Sequence, residues 1–148
     1  MITIDTSVFI ELNLNQEKAE QSGALLQAIG LGKIEAYVSH FAIHALEAGF
    51  RSQKEARKFL ENIEASKGLR VYDTSIADEI SIAALAEKVG LDFDDAAQYY
   101  VARKTGATSI VSFDRHFDKL RDIPRREPAS ILGELEVENQ KGSKNRLA

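Results

Sequence analysis

Apolar positions along the chain follow two periods. Ile2-Thr3-Ile4, Ala36-Tyr37-Val38-Ser39, Leu69-Arg70-Val71-Tyr72 and Ser109-Ile110-Val111-Ser112 are short runs with the composition of buried strands. Between them apolar residues recur at helical spacing. Glu17 to Leu31 sets Ala24, Leu25, Ala28 and Ile29 at core spacing and closes at Gly30 and Gly32. Phe41, Ile43, Ala45 and Leu46 begin a helix that runs to Gly49, and Glu55 to Ala65 places Ala56, Phe59, Leu60 and Ile63 at i, i+3, i+4, i+7. Ser75-Ile76-Ala77-Asp78 has the form of a capping box, opening a helix through Val89 that Gly90 ends. A further helix spans from about Asp94 to Thr105-Gly106. The pattern also predicts a turn at Thr6-Ser7 and a last short strand near Ala129 to Leu132, after Pro124 and Pro128. Strands alternating with helices indicate one α/β domain on a parallel sheet, residues 1–135. Residues 136–148 are polar and aperiodic, and Glu138 to Ala148 is expected to be disordered.

Composition narrows the function. A chain of 148 residues with 44% hydrophobic and 28% charged content is that of an ordinary soluble globule. With no cysteine there are no disulfides, no thiolate catalysis and no cysteine-type zinc site. No apolar run reaches the ~20 residues of a membrane span, and no basic-then-apolar leader precedes the first strand, so the expected compartment is the cytoplasm. A net charge of -4 argues against gross nonspecific affinity for nucleic acid and leaves room for a local basic track beside an acidic pocket.

Two aspartates occupy matching places. Asp5 follows the first strand and Asp114 follows the fourth. In an open parallel sheet ligands bind beyond the carboxyl ends of the strands, so both would converge on one mouth. Two carboxylates at ~4 Å repel by about 4 kcal/mol at an effective dielectric of ~20, and a divalent cation is the usual means of offsetting that repulsion. Glu47 lies in the mostly apolar helix after the second strand, and Asp95 begins a helix at Asp92-Phe93-Asp94-Asp95. Singly, each has a plainer reading, Asp95 as a cap and Glu47 as a solvated helix face. Asp92 and Asp94 are read as caps, Asp118 and Asp122 as surface charges.

Taken in order, these residues resemble the PIN-domain family. The likeness rests on Ile4-Asp5-Thr6-Ser7, Glu47, Asp95-Ala96 followed by Tyr100-Val101-Ala102, and Ser112-Phe113-Asp114 with Phe117, and covers Met1 to about Leu135. Within the family it is strongest to the short ribonucleases that act as VapC-type toxins. The resemblance implies a three-layer α/β/α sandwich with a central parallel sheet. It implies Mg2+ or Mn2+ held by Asp5, Glu47, Asp95 and Asp114, cleavage of RNA, and homodimers inhibited by a small antitoxin. One departure is that Ala48 follows Glu47 where a larger aliphatic residue is more usual.

Phosphodiester hydrolysis needs an activated water and neutralised charge, which two metals can supply. Asp5 and Asp95 are the expected direct ligands, with Glu47 and Asp114 on a second ion or acting through waters. Ser7 and Ser112 are candidate water-orienting or phosphate-binding groups, with turn or cap hydroxyls as the equal alternative. Arg115, Lys119, Arg121, Arg125 and Arg126 form a basic cluster beginning beside Asp114, and Arg51, Lys54 and Lys58 a helical stripe that is most simply a solvated face. Arg115 and Lys119 are the expected phosphate contacts. Tyr99 is placed to stack a base and Tyr100 to pack in the core. His40 and His44 have metal-ligand spacing, but Phe41 stands where a metalloprotease glutamate belongs. His116 is read as a surface residue. Against the enzyme stands a binding module of the same fold that holds metal or RNA without turnover, as an assembly partner.

Overall fold

A computed structural model of the protein describes residues 1–147. Five short strands, β1 (Ile2–Ile4), β2 (Ala36–Ser39), β3 (Leu69–Tyr72), β4 (Ile110–Val111) and β5 (Arg125–Arg126), form one parallel sheet in the order β3-β2-β1-β4-β5. Side chains alternate across a strand, and here the alternation divides the core in two. Ile2, Ile4, Ala36, Val38 and Val111 join one cluster with residues of helices α1 (Thr6–Asn13), α2 (Ala19–Gly30) and α3 (His40–Glu47) and Ile131 of α7 (Pro128–Leu147). Phe59 and Ile63 of α4 (Gln53–Ala65) pack against it from outside. Ile110 belongs to the second cluster, with residues of α5 (Ile76–Val89), α6 (Phe93–Thr105) and the short 3-10 helix Arg115–Lys119. The architecture is a three-layer α/β/α sandwich around a parallel sheet.

The order of the strands positions the site. From β1 the chain adds β2 and β3 on one side, and β4 and β5 lie on the other. The connections after β1 and β4 therefore diverge, leaving a crevice at the carboxyl ends of these neighbours. Across that crevice lies the start of α6, buried without interruption from Asp95 to Ala102. Ala96 and Ala97 have no exposed surface, so small side chains let the helix lie close to the sheet. Gly90 and Gly106 end α5 and α6 at φ 73 and φ 70, left-handed values that favour glycine.

Three stretches depart from the sequence pattern. Thr6-Ser7 begins α1 rather than a turn, because the Asp5 side chain caps it by accepting the Ser7 N–H, and Val8 and Phe9 enter the core. The exposed Ile10 and Leu12 blur the period that would have revealed this helix. The last strand is Arg125–Arg126 rather than Ala129 to Leu132, where Pro128 opens α7 instead. Arginines make poor strand signals, but here ion pairs to Asp118 and Glu134 allow both side chains to be half-buried. Glu138 to Leu147 continues α7 as helix where an irregular tail is expected, and every residue from Glu136 to Leu147 is exposed. The expectation for Ala148 lies outside the described residues. No helix among the described residues is long and apolar enough to cross a membrane.

Candidate active site

Asp5 leaves β1 with 3% of its surface exposed. A buried carboxylate needs donors, and Ser112 supplies the best of them, its Oγ donating to Asp5 Oδ2 at 2.7 Å. The Asp114 N–H donates to the same Ser112 Oγ at 2.9 Å, and Ser7 Oγ lies 3.1 Å away. A hydroxyl has one proton and two lone pairs. With its proton on Asp5 and one lone pair taken by Asp114, Ser112 must accept from Ser7. Ser7 in turn accepts the Phe113 N–H at 3.1 Å. The direction of the relay is thereby fixed, from the Phe113 amide through Ser7 and Ser112 to Asp5. Ser112 is fully buried with every hydrogen-bonding valence used, so it positions Asp5 and Asp114 and has nothing left to offer a substrate phosphate. Ser7 is half-buried and serves the same relay.

Asp114 caps the 3-10 helix by accepting the His116 N–H at 2.8 Å. That turn swings the imidazole back over the mouth, where His116 Nδ1 lies 3.1 Å from Asp114 Oδ1 and 3.3 Å from Asp95 Oδ2. Asp95, Asp114 and His116 thus each present one ligand atom within 4.8 Å of the others. Asp95 is held by its place in α6, where Asp92 caps the helix by accepting the Asp95 N–H at 2.9 Å. Burial first, and then the charges of Asp92, Asp114, Asp5 and Asp94, push Asp95 up to about 7. Burial and the charges of Asp5, Asp92 and Asp114 likewise raise Asp94 to about 6. Asp94 Oδ1 is buried without a hydrogen-bond partner among the described residues. Carboxylate oxygens gathered in this way, one of them orphaned, could hold a divalent cation.

The site expected from the sequence is therefore partly rearranged. Asp5, Asp95 and Asp114 come together. Glu47 does not join them: it sits at the end of α3, its carboxylate 3.4 Å from His44 Nδ1, in a groove shared with Gln53 and Arg57 of α4. Its charge is absent from those acting on Asp94 and Asp95. Asp94 and His116 enter the cluster instead. Asp94 was legible only as a cap because three aspartates stand within four positions and one of them, Asp92, does cap the helix. The signal for His116 is its place two residues past Asp114, where the turn returns it to the mouth.

Of the basic cluster, Arg115 is exposed with no ion-pair or hydrogen-bond partner for its side chain among the described residues. Lys119 Nζ donates to the Gly90 carbonyl at 2.6 Å. Arg125 and Arg126 are turned inward to structural partners. Tyr99 is 6% exposed and donates to Asp122, so its ring packs in the core rather than facing the mouth. Tyr100 is buried as expected and donates to Asp78. His40 pairs with Asp73, and its ring stacks on His44 at 4.3 Å, away from the aspartate cluster.

Solved structures share this fold. VapC20 of Mycobacterium tuberculosis, a sarcin-ricin loop cleaving toxin, is 19% identical, with a TM-score of 0.62 over 80% of this chain and 93% of that one. A toxin-antitoxin complex from Klebsiella pneumoniae is 14% identical, with a TM-score of 0.65 over 86% of this chain and 98% of that one. VapBC2 of Rickettsia felis, bound to a DNA fragment from its promoter, is 15% identical, with a TM-score of 0.62 over the same shares. No curated protein matches the sequence. The PIN-domain family model matches residues 2–123, across both aspartate-bearing strand ends and the start of α6. The chain belongs to the PIN-domain family.

Proposed function

We propose that the protein is an endoribonuclease dependent on Mg2+ or Mn2+, and the toxin of a toxin–antitoxin pair acting in the cytoplasm. The observation that carries this reading is the meeting of Asp5, Asp95 and Asp114 at the strand-order switch, with Asp95 pushed up to about 7 by burial and its acidic neighbours. Such an arrangement is unfavourable in the isolated protein and suits a site that takes up a cation. Asp95, Asp114 and Asp5 would hold the ion, with Asp94 beside them. A bound divalent cation supplies Lewis-acid neutralisation of the phosphodiester charge. The chain's own groups do the rest. Ser112 and Ser7 fix Asp5, the His116 imidazole lies between Asp114 and Asp95, and Arg115 offers a phosphate contact that carries affinity without reading sequence.

PIN domains are generally nucleases, and the named neighbours include a toxin that cleaves an RNA loop and toxin–antitoxin complexes. These support RNA as substrate and an antitoxin as partner; the homodimer is part of the same proposal and rests on the family resemblance alone. Glu47 is retained as a ligand only if α3 closes toward the mouth when the ion binds. The test is cleavage of a mixed single-stranded RNA pool by the purified chain. Cutting in Mg2+ or Mn2+ that stops with EDTA and with Asp95→Asn is the expected result. Ion and RNA binding without turnover would favour the assembly module.

A further inference from the structure

Asp114 receives its position from the segment Ser112 to Lys119, which the Ser7–Ser112 relay ties to Asp5 and the buried Phe117 ties to the core. Its carboxylate accepts from the His116 N–H within its own turn, and its N–H donates to the Ser112 Oγ two residues before it, so its place relative to Asp5 and Asp95 depends on where Ser112 to Lys119 lies. The sheet stops supporting this segment at Ser112. In the β4–β5 ladder Ile110 and Ser112 donate to the carbonyls of Pro124 and Arg126. The parallel pattern calls for the Ser112 carbonyl to accept from residue 128, and residue 128 is a proline with no N–H. The missing donor comes from a side chain. Arg125 Nη1 donates to the Ser112 carbonyl at 3.0 Å, while its Nε donates to Asp118 Oδ1 at 2.7 Å in the 3-10 helix. One planar guanidinium thus ties the residue before Asp114 to a residue after it. Glu127 steadies Arg125 at 3.6 Å and is itself held by Lys18 Nζ at 2.9 Å, which also lies over the Phe113 ring. The Arg125 side chain is only 12% exposed, so water competes little for its bond to the Ser112 carbonyl, while the bond to Asp118 lies nearer the surface.

We propose that Arg125 is a positioning residue for the aspartate cluster, holding Ser112 and Asp118 so that Asp114 and Asp5 stay registered against Asp95. The proposal rests on the cation-dependent reading of the site, and it also has a readout independent of that reading. Lysine can replace one of the two anchoring bonds but not the fork, so Arg125→Lys is the central variant, with Arg125→Gln beside it in case either fails to fold. On the full chain without metal, amide hydrogen exchange should show Asp114 and His116 losing protection about tenfold or more in Arg125→Lys, with β1 and α6 unchanged. Calorimetric titration with Mn2+ alone should show affinity reduced by about tenfold or more, the range for residues that orient metal ligands from behind. On a single-stranded RNA oligonucleotide kcat should fall by a similar factor while KM stays within about twofold. Unchanged exchange at Asp114 and His116 together with unchanged Mn2+ affinity would overturn the proposal. A wild-type protein that takes up no Mn2+ would overturn the metal reading instead, and the exchange comparison would still decide for or against Arg125.

Discussion

The mouth between β1 and β4 and the exposed end of α3 both carry acids that a reader of the sequence would assign to one site, and the fold treats them differently. At the mouth, Asp5, Asp94, Asp95 and Asp114 are buried or half-buried, and the proton affinities of Asp94 and Asp95 are raised. At the end of α3, Glu47 faces His44 and the polar side chains of α4. The difference lies in what fixes each residue. Two of the mouth acids are caps, Asp5 of α1 and Asp114 of the 3-10 helix, and the other two, Asp94 and Asp95, stand in the first turn of the helix that Asp92 caps. A capping carboxylate is pinned by backbone N–H groups at a strand or loop end, which is where a parallel sheet gathers its ligands. Glu47 is the last residue of its helix, and among the described residues its carboxylate is paired with a neighbouring imidazole.

The largest expected contrast is in turnover. Asp95→Asn or Asp5→Asn should lower RNA cleavage by about 100-fold or more, as for the loss of a group that stabilises transition-state charge, with circular dichroism unchanged. Glu47→Gln should cost less than tenfold. Equal losses at Glu47 and Asp95 would show that α3 closes onto the mouth in the working enzyme. A second contrast sets Arg115, whose side chain has no partner among the described residues, against Lys119, which is engaged. Arg115→Ala should weaken RNA binding several-fold across sequences and flatten the log–log salt slope by about 0.7, one single-strand phosphate contact. Lys119→Ala, which removes a bond to the Gly90 carbonyl, should change the slope less.

Stability gives a smaller effect with a defined sign. Asp95 and Asp94 have folded-state proton affinities raised above the ordinary carboxylate value of 3.8. The folded chain therefore holds protons more tightly than the unfolded chain. Their contribution favours folding at low pH and is lost as pH rises from about 4 through about 6 for Asp94 and about 7 for Asp95. Removing the charge should reverse the loss. At ~1.4 kcal/mol per tenfold change in proton affinity, discounted by half or more for solvent screening, Asp95→Asn should stabilise the metal-free protein by about 1–2 kcal/mol at neutral pH. The gain should vanish near pH 4. Thermal melts across this range check both. The smallest effect belongs to the end of α7. Glu138 to Leu147 is exposed helix, so deleting Glu138 to Ala148 should leave melting temperature and cleavage nearly unchanged.

Much of this was legible in the sequence, for identifiable reasons. Strands β1 to β4 and the capped helices α5 and α6 carry strong local signals, with Ser75 and Asp78 forming the expected capping box and Gly90 and Gly106 the expected ends. Asp5 and Asp114 could be placed because each follows such a strand. Strand β5 could not, because its two arginines are half-buried by ion pairs with Asp118 and Glu134, a pairing that no strand period displays. Ser112 read as a phosphate contact because a hydroxyl's saturation depends on Asp5 and Ser7, which lie over a hundred residues away in the chain. Asp94 and His116 stayed hidden for a related reason: their roles come from convergence of α6 with the 3-10 turn, which no spacing encodes.

The central claim, that the aspartates of the mouth hold a divalent cation, is tested most directly by calorimetric titration of Mn2+ into the full chain. Wild type and Glu47→Gln should bind with similar affinity, and Asp95→Asn should bind at least about tenfold more weakly. Mn2+ uptake that is the same in Asp95→Asn as in wild type, or no uptake by wild type, would contradict the account.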